Sequence, residues 1–528
     1  MQTHGGGHLL PPFIFKKMLN RNMYFFLFAM LAGACSKGST AVTTVDAAQT
    51  HTYYVAANGD NSAAGTISKP VRSINIALAK ALPGDTVMVR AGTYGERVVF
   101  PRAGRLEKLI TLKAYPGEKA VIDGTGMIVT GREALVTISN TSYVVLEGFD
   151  ICNLKSTAAW ANVNGITADA GASNIIIRKN KIYNIEHNVE PSQGRSGHGI
   201  EIIGNTADVM KNILVEDNII HDTKTGYSEN LTINGYVDGF TIRRNTIYNT
   251  ENIGIDAAGG YAANTNPALN YARNGLITEN ELYNIDMTRG PVGGTHGHGA
   301  IAIYVDGARN ITVERNRIHE ADRGIGIVSE NDAYPTSNCI VRNNFVSNCW
   351  RTGIYLGGYL GYTSGGTRNC YVVNNTLLFN DREPGAFGEI EGEIRLTEQC
   401  FDNVIRNNIV YARPVDIFVH KYTGTGSGNV IDNNLYFTTG TPQWIWNGTN
   451  TNIITDFNTW KSTSGTDASS VYGTDPLLIS TTIPDLHIAP NSPARNTGAV
   501  ISEAVNGSLD IDGNARIVNN KISKGAQQ

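Results

Sequence analysis

From residue 174 to residue 436, apolar and polar positions alternate in short bursts around a recurring asparagine. Nine such asparagines stand at Asn180, Asn218, Asn245, Asn280, Asn316, Asn344, Asn375, Asn408 and Asn434. Three residues before each lies an aliphatic side chain, from Ile177 and Val215 through to Ile431. Two residues after each lies another apolar one, from Ile182 and Ile220 through to Tyr436. Within a burst such as Asn310-Ile311-Thr312-Val313-Glu314 the period is two, which predicts strands and not helices. The spacing between asparagines ranges from 26 to 38 residues while the register around each is kept. A fixed core turn with variable loops between is the pattern of a solenoid.

Six residues before the ladder position Asn recurs, at Asn174, Asn212, Asn274, Asn310, Asn338 and Asn369. Asn tolerates the left-handed conformation of a tight turn, and its amide bonds to the same residue in the coils above and below. Two asparagine columns flanking one strand predict an all-β, right-handed parallel β-helix, the hand following from strand twist. Ser73 to Leu82 is the one clearly helical stretch, with Ile74, Leu78 and Leu82 four apart, and it suits a cap on the open end of the core. Thr86 to Val89 reads as the first strand. The asparagine register fails after residue 437, so 51–437 is assigned to the β-helix and 438–528 to an irregular C-terminal capping segment.

Composition narrows the picture. Charged residues make up 17%, Gly numbers 57 and the net charge is −4, which suits short strands and tight turns and gives no basic field for nucleic acid. The run from Tyr24 to Leu31, preceded by Arg21 and ending in Ala32-Gly33-Ala34-Cys35, has signal-peptide proportions. Cys35 is the expected lipidation site, residues 36–50 a flexible tether, and the expected location the bacterial cell envelope, with secretion as the alternative. The membrane is then touched only through the lipid, and the protein is expected to act as a monomer. Five further cysteines show no metal-like spacing, and Cys339 and Cys370, each five residues before a ladder asparagine, are expected as stacked core thiols.

Candidate chemistry lies on a second strand of each coil, announced by Gly plus an apolar residue: Gly199-Ile200-Glu201, Gly226-Tyr227-Ser228, Gly254-Ile255-Asp256, Gly324-Ile325-Gly326 and Gly353-Ile354-Tyr355, with Gly299 to Tyr304 in the same place. The long insertions, 186–197, 258–272, 286–297, 329–337 and 357–367, sit beside this strand and would wall a groove whose floor it forms. Outward positions offer Glu201 and Asp256 two coils apart with Ser228 between. His198, His298, Tyr304, Arg323 and Glu330 complete the catalytic candidates, with Asp306 and Asp332 at the edges. Tyr261, Tyr271, His296, Tyr334, Trp350, Tyr355 and Tyr359 are candidates for stacking against sugar rings, as is Tyr362. His296-Gly297-His298 places two imidazoles on one face, and the sequence names no third ligand for zinc.

The opening stretch, Tyr53-Tyr54-Val55-Ala56-Ala57-Asn58-Gly59-Asp60-Asn61 with Gly65-Thr66, Lys69-Pro70 and Pro83 to Tyr94, resembles that of secreted pectin-lyase-like β-helix proteins, nearest to polysaccharide lyase family 9. The resemblance is close in the cap region and extends to the coils in pattern. It implies a right-handed β-helix acting on polysaccharide, with a calcium-binding Asp cluster and a catalytic Lys in the groove. Here Asp256 has no adjacent second Asp, and no Lys holds an outward place on the Gly-Ile strands. The expected function is a lyase cleaving a uronate-containing polysaccharide by β-elimination. His198, His298 or Tyr304 would be the base and Arg323 the carboxylate neutraliser, with calcium at Glu201 and Asp256 an option. A glycoside hydrolase using Glu201, Asp256 and Glu330, and a non-catalytic glycan-binding lipoprotein, are the alternatives.

Overall fold

The computed structural model describes residues 50–383 and 390–528, apart from the side chains of Thr295 and His296. Cys35 and the expected signal segment lie outside the described residues, as does all of the expected tether except Thr50. The chain winds as a right-handed parallel β-helix. Each coil contributes to three sheets, of 16, 13 and 13 strands among the described residues. The first sheet holds strands ending just before the ladder asparagine, such as Ile175–Arg178. The second holds those just after it, such as Lys181–Tyr183, and the third the floor strands, such as Gly197–Gly204. Successive coils pair in register, Ile175 on Ile213 and Ile213 on Phe240.

Period-two alternation explains the core. The aliphatic residues three before each ladder asparagine, and the apolar ones two after, are at most 2% exposed. Each such side chain contributes about 1.5–3 kcal/mol by leaving water. The asparagines form one continuous chain of amides. Nδ2 of Asn180 donates to Oδ1 of Asn218 at 3.1 Å, and that pattern repeats through Asn245, Asn280, Asn316, Asn344, Asn375 and Asn408 to Asn434. The backbone N–H of Asn434 donates to Ser470 Oγ at 2.8 Å, which closes the ladder. The left-handed backbone falls one residue before the ladder asparagine, at Lys179, Asp217, Arg244, Glu279, Arg315, Asn343, Asn374, Asn407 and Asn433, and at the column six before it. The ladder residues are there for their amides and the neighbours carry the turn.

The N-terminal end is closed by the helix Ile74–Lys80, capped by Ser73, with Ile74 and Leu78 fully buried. Leu82 lies beyond the helix and is exposed, because Pro83 follows it. The first strand is Thr52–Val55 and not Thr86–Val89, on which it pairs. At the other end coils continue past residue 437: Gln443–Trp446 pairs with the floor strand Ile417–Lys421, and Val471–Tyr472 with Leu435–Phe437. The register is lost there in sequence because aromatic residues replace the aliphatic core, with Trp444 and Trp460 fully buried and stacked at 6.0 Å. The remaining chain folds back on the turn asparagines, where Asn343 donates to Asn506 O, Asn374 to Ser523 O and Asn407 to Ala499 O. Cys339 and Cys370 are buried free thiols, with the Cys339 N–H donating to Cys370 Sγ at 3.3 Å.

Candidate active site

The floor sheet presents one outward column: Thr167, Glu201, Thr232, Asp256, Tyr304, Gly326, Tyr355, Arg395 and His420. Thr232, on Leu231–Gly235, stands between Glu201 and Asp256, so Ser228 is not the floor residue of that coil. Ser228 lies in the wall turn, 2.7 Å from Ser196 Oγ. Gly326 makes room for two rings: a Cβ there would come within 2.7 Å of the Tyr355 ring and 2.8 Å of the Tyr304 ring, which lean over it. Above this stretch a cavity of about 620 Å³ is lined by Asp256, Tyr261, Tyr304, Arg323, Glu330, Tyr355 and Tyr359 from the expected set.

One end of the cavity is acidic. Glu330 Oε1 accepts the hydroxyls of Tyr304 at 2.8 Å and Tyr359 at 3.0 Å, and Oε2 accepts that of Tyr261 at 2.7 Å. The Tyr261 hydroxyl also meets Asp306 Oδ2, while Asp306 Oδ1 accepts the Glu330 N–H at 2.7 Å. A phenol has one proton, so it cannot donate to both carboxyls. One of the two must hold a proton of its own. Burial, and next the Glu330 charge, push the Asp306 carboxyl well above the usual range, which identifies it as the protonated partner. Asp256 is 3% exposed and its Oδ1 is buried with no hydrogen-bond partner. Burial first, then Glu229, Asp306 and Glu330, raise it well above the ordinary carboxylate range, which favours its protonated form. Burial and Glu330 likewise raise the Tyr304 phenol, which removes it as a base at neutral pH.

The walls hold this end in place. Tyr362 donates to the Glu330 carbonyl at 2.6 Å. Asp332 accepts the backbone N–H groups of Thr363, Ser364 and Gly365, which lock loop to loop and hold its carboxyl down at about 2.

The other end is basic. Arg323, Arg351 and Arg395 converge on the buried Glu391, Arg323 through Nη2 at 2.8 Å and Arg395 through Nη1 at 2.9 Å. Burial opposes the charge of Glu391, but Arg323, Arg395 and Arg351 override it and keep the carboxylate ionised. Arg395 stands four coils from Asp256 on the floor column, about 19 Å at the interstrand spacing.

Other expected residues lie elsewhere. Glu201 is buried under Arg132, whose Nε reaches Oε2 at 2.8 Å, with Asn164 and Thr167 on the same oxygen. That oxygen has no capacity left for calcium, and Asp256 stands two coils away, so the pair does not fit a shared ion. His198 is also buried, 3.0 Å from Asn164 Oδ1 and 3.2 Å from Glu229 Oε2. Burial opposes its charge, but Glu229 and Glu201 raise its pKa, so it is poorly suited to be a neutral base. His298 stacks on Trp350 at 4.3 Å and faces Asp322. Tyr271 is sandwiched by Arg273 and Arg309, and Tyr334 donates to Pro267 O, so both are parts of the wall. The His296 side chain is outside the described residues.

Glu229, Arg351, Glu391 and Arg395 line the cavity although sequence reasoning passed over them. Glu391 and Arg395 flank Glu393-Ile394, where Glu393 replaces the glycine that announces other floor strands. The signal for them is Ile394, which pairs with Ile354 of the preceding floor strand.

Comparison with known proteins agrees with this architecture. The family model for the Pel9A-like right-handed beta helix region matches residues 53–246. YwoF of Bacillus subtilis, described as an uncharacterized protein, is 31% identical over 443 residues, covering 84% of this chain and 92% of YwoF. Pectate lyase PEL9 of Emericella nidulans is 33% identical over 95 residues, 18% of this chain and 23% of that enzyme. The solved structure of XylC with xylose superposes with a TM-score of 0.51 at 13% identity, covering 90% of this chain and 98% of XylC.

Proposed function

The chain belongs to the family of pectin-lyase-like right-handed β-helix proteins, and on that premise we propose that it hydrolyses glycosidic bonds of a polysaccharide laid along the floor sheet. One observation carries the reading: the buried carboxyl of Asp256, its Oδ1 without a hydrogen-bond partner, lines the same cavity as Glu330, whose oxygens collect three phenol hydrogens. Hydrolysis needs that division of labour, an acid for the leaving oxygen and a carboxylate for water. Asp256 passes its proton to the glycosidic oxygen as the C–O bond breaks. Glu330 takes a proton from the water whose oxygen bonds to the anomeric carbon. Tyr261, Tyr304 and Tyr359 orient Glu330, and the flat ring of Tyr355 offers a stacking surface to sugar. The guanidinium groups at the far end suit an acidic sugar several rings away.

Those guanidinium groups also favour a second reading, β-elimination on a uronate, since Arg323 in the same cavity would neutralise the substrate carboxylate and a pectate lyase resembles part of the chain. Attachment to the cell envelope through Cys35 and action as a monomer remain part of the proposal. Incubation of the protein with pectins, alginates, glycosaminoglycans and neutral hemicelluloses separates the readings. New reducing ends without ultraviolet absorbance of unsaturated uronates support hydrolysis. Both signals together mean a lyase, and binding with neither means a glycan-binding protein.

A further inference from the structure

Beside the cavity, Asp286, His298 and Asp322 bring three ligand atoms within 4.8 Å of one another. His298 Nδ1 lies 2.7 Å from Asp322 Oδ1 and 3.4 Å from Asp286 Oδ1. A metal about 2.0–2.2 Å from nitrogen and oxygen donors sits among atoms separated by about 3–3.5 Å, so both contacts of His298 Nδ1 are close to that spacing. Asp322 is fully buried, and its Oδ2 is fixed by the N–H groups of Met287 at 2.8 Å and Ala300 at 2.9 Å, which aims Oδ1 at the imidazole. Asp286 spends Oδ1 on Thr288, through the N–H at 2.8 Å and the hydroxyl at 2.6 Å, and its Oδ2 accepts nothing among the described residues.

The imidazole is over-supplied with carboxylates. Nδ1 faces two, and Nε2 faces a third, Glu383, at 3.7 Å. One N–H can serve only one of the pair at Nδ1. A cation at Nδ1 would satisfy both and leave Nε2–H directed at Glu383, the arrangement in which an outer carboxylate fixes the tautomer of a metal-bound histidine. Trp350 covers the ring at 4.3 Å with planes 8° apart, and holds its orientation.

We propose that Asp286, His298 and Asp322 form a binding site for a divalent cation, zinc by its mixed nitrogen and oxygen donors. The ion ties the insertion carrying Asp286 and His298 to the next coil through Asp322. Met287 and Gly299, adjacent in sequence to two of the ligands, line the cavity, so the ion stiffens its shoulder and takes no part in the reaction.

The test uses the whole protein, stripped with a chelator and titrated by calorimetry with zinc, and separately with calcium. The expected result is one zinc per chain with a Kd of about 1 µM or tighter. His298→Ala and the partly exposed Asp286→Asn should each weaken it at least about tenfold. Cobalt should quench tryptophan emission in the wild type and not in Trp350→Phe, which still binds. Absence of stoichiometric zinc binding overturns the proposal, as does zinc binding unchanged in both ligand variants or a preference for calcium.

Discussion

The asparagine column and the floor column climb through the same coils at the same spacing, yet the first repeats one residue and the second almost never does. Asn can stack on itself because each amide is both donor and acceptor, so every coil satisfies the next. A carboxylate or a guanidinium cannot stack on its own kind without repulsion. The floor therefore reads Glu201, Thr232, Asp256, Tyr304, Gly326, Tyr355, Arg395, with each charge set beside a residue of another type. Repetition marks the positions that hold the solenoid together, and departure from it marks the face that meets a ligand.

That contrast can be broken from either side. Glu330→Gln should lower turnover by about 10²–10⁴-fold with the melting temperature held, measured as reducing ends per folded molecule. Asn280→Ala should do the reverse. It removes the acceptor of the Asn245 N–H and of one Nδ2 hydrogen of Asn245, and the side-chain donor to the Ile242 carbonyl, and should cost about 3 kcal/mol in denaturant unfolding with activity per folded molecule kept. If Asn280→Ala abolished turnover in folded protein, the division between the columns would fail.

Two finer effects concern pH. Glu393 replaces a floor glycine, is fully buried, and is raised by that burial to about 8. A raised carboxyl contributes stability that is complete below its unfolded value of about 4.3 and is lost as pH rises through about 8. The melting temperature of the wild type should therefore fall as pH rises from about 5 to about 8 and level off above it, and Glu393→Gln should flatten that fall. Glu229 is the first charge, after burial itself, that keeps Asp256 protonated. Glu229→Gln should move the alkaline limb of the activity profile to lower pH, because Asp256 then gives up its proton sooner. An unmoved limb would remove Asp256 from the role of acid.

The sequence made the ladder legible because nine identical residues share one register, and it located the floor wherever glycine preceded isoleucine. Leu231–Gly235 lacks that glycine, so the glycine pattern points to Ser228 where Thr232 stands. Period two also says only that a residue points outward. It does not say what surrounds it: Glu201 and Asp256 occupy the same column and are both buried, but Arg132 pairs with the first while the second lines the cavity among other carboxyls. The contacts of the Tyr261 hydroxyl with Asp306 and Glu330 join segments 45 and 69 residues apart in sequence, a separation no local pattern records.

The most direct measurement is the turnover of Asp256→Asn on whichever polysaccharide the wild type cleaves, taken beside its thermal unfolding. Asn keeps the shape of the buried carboxyl and removes its proton. The account predicts turnover reduced by about 10²–10⁴-fold with an unchanged melting temperature. Turnover within a few-fold of the wild type, or a loss that tracks unfolding, would contradict it.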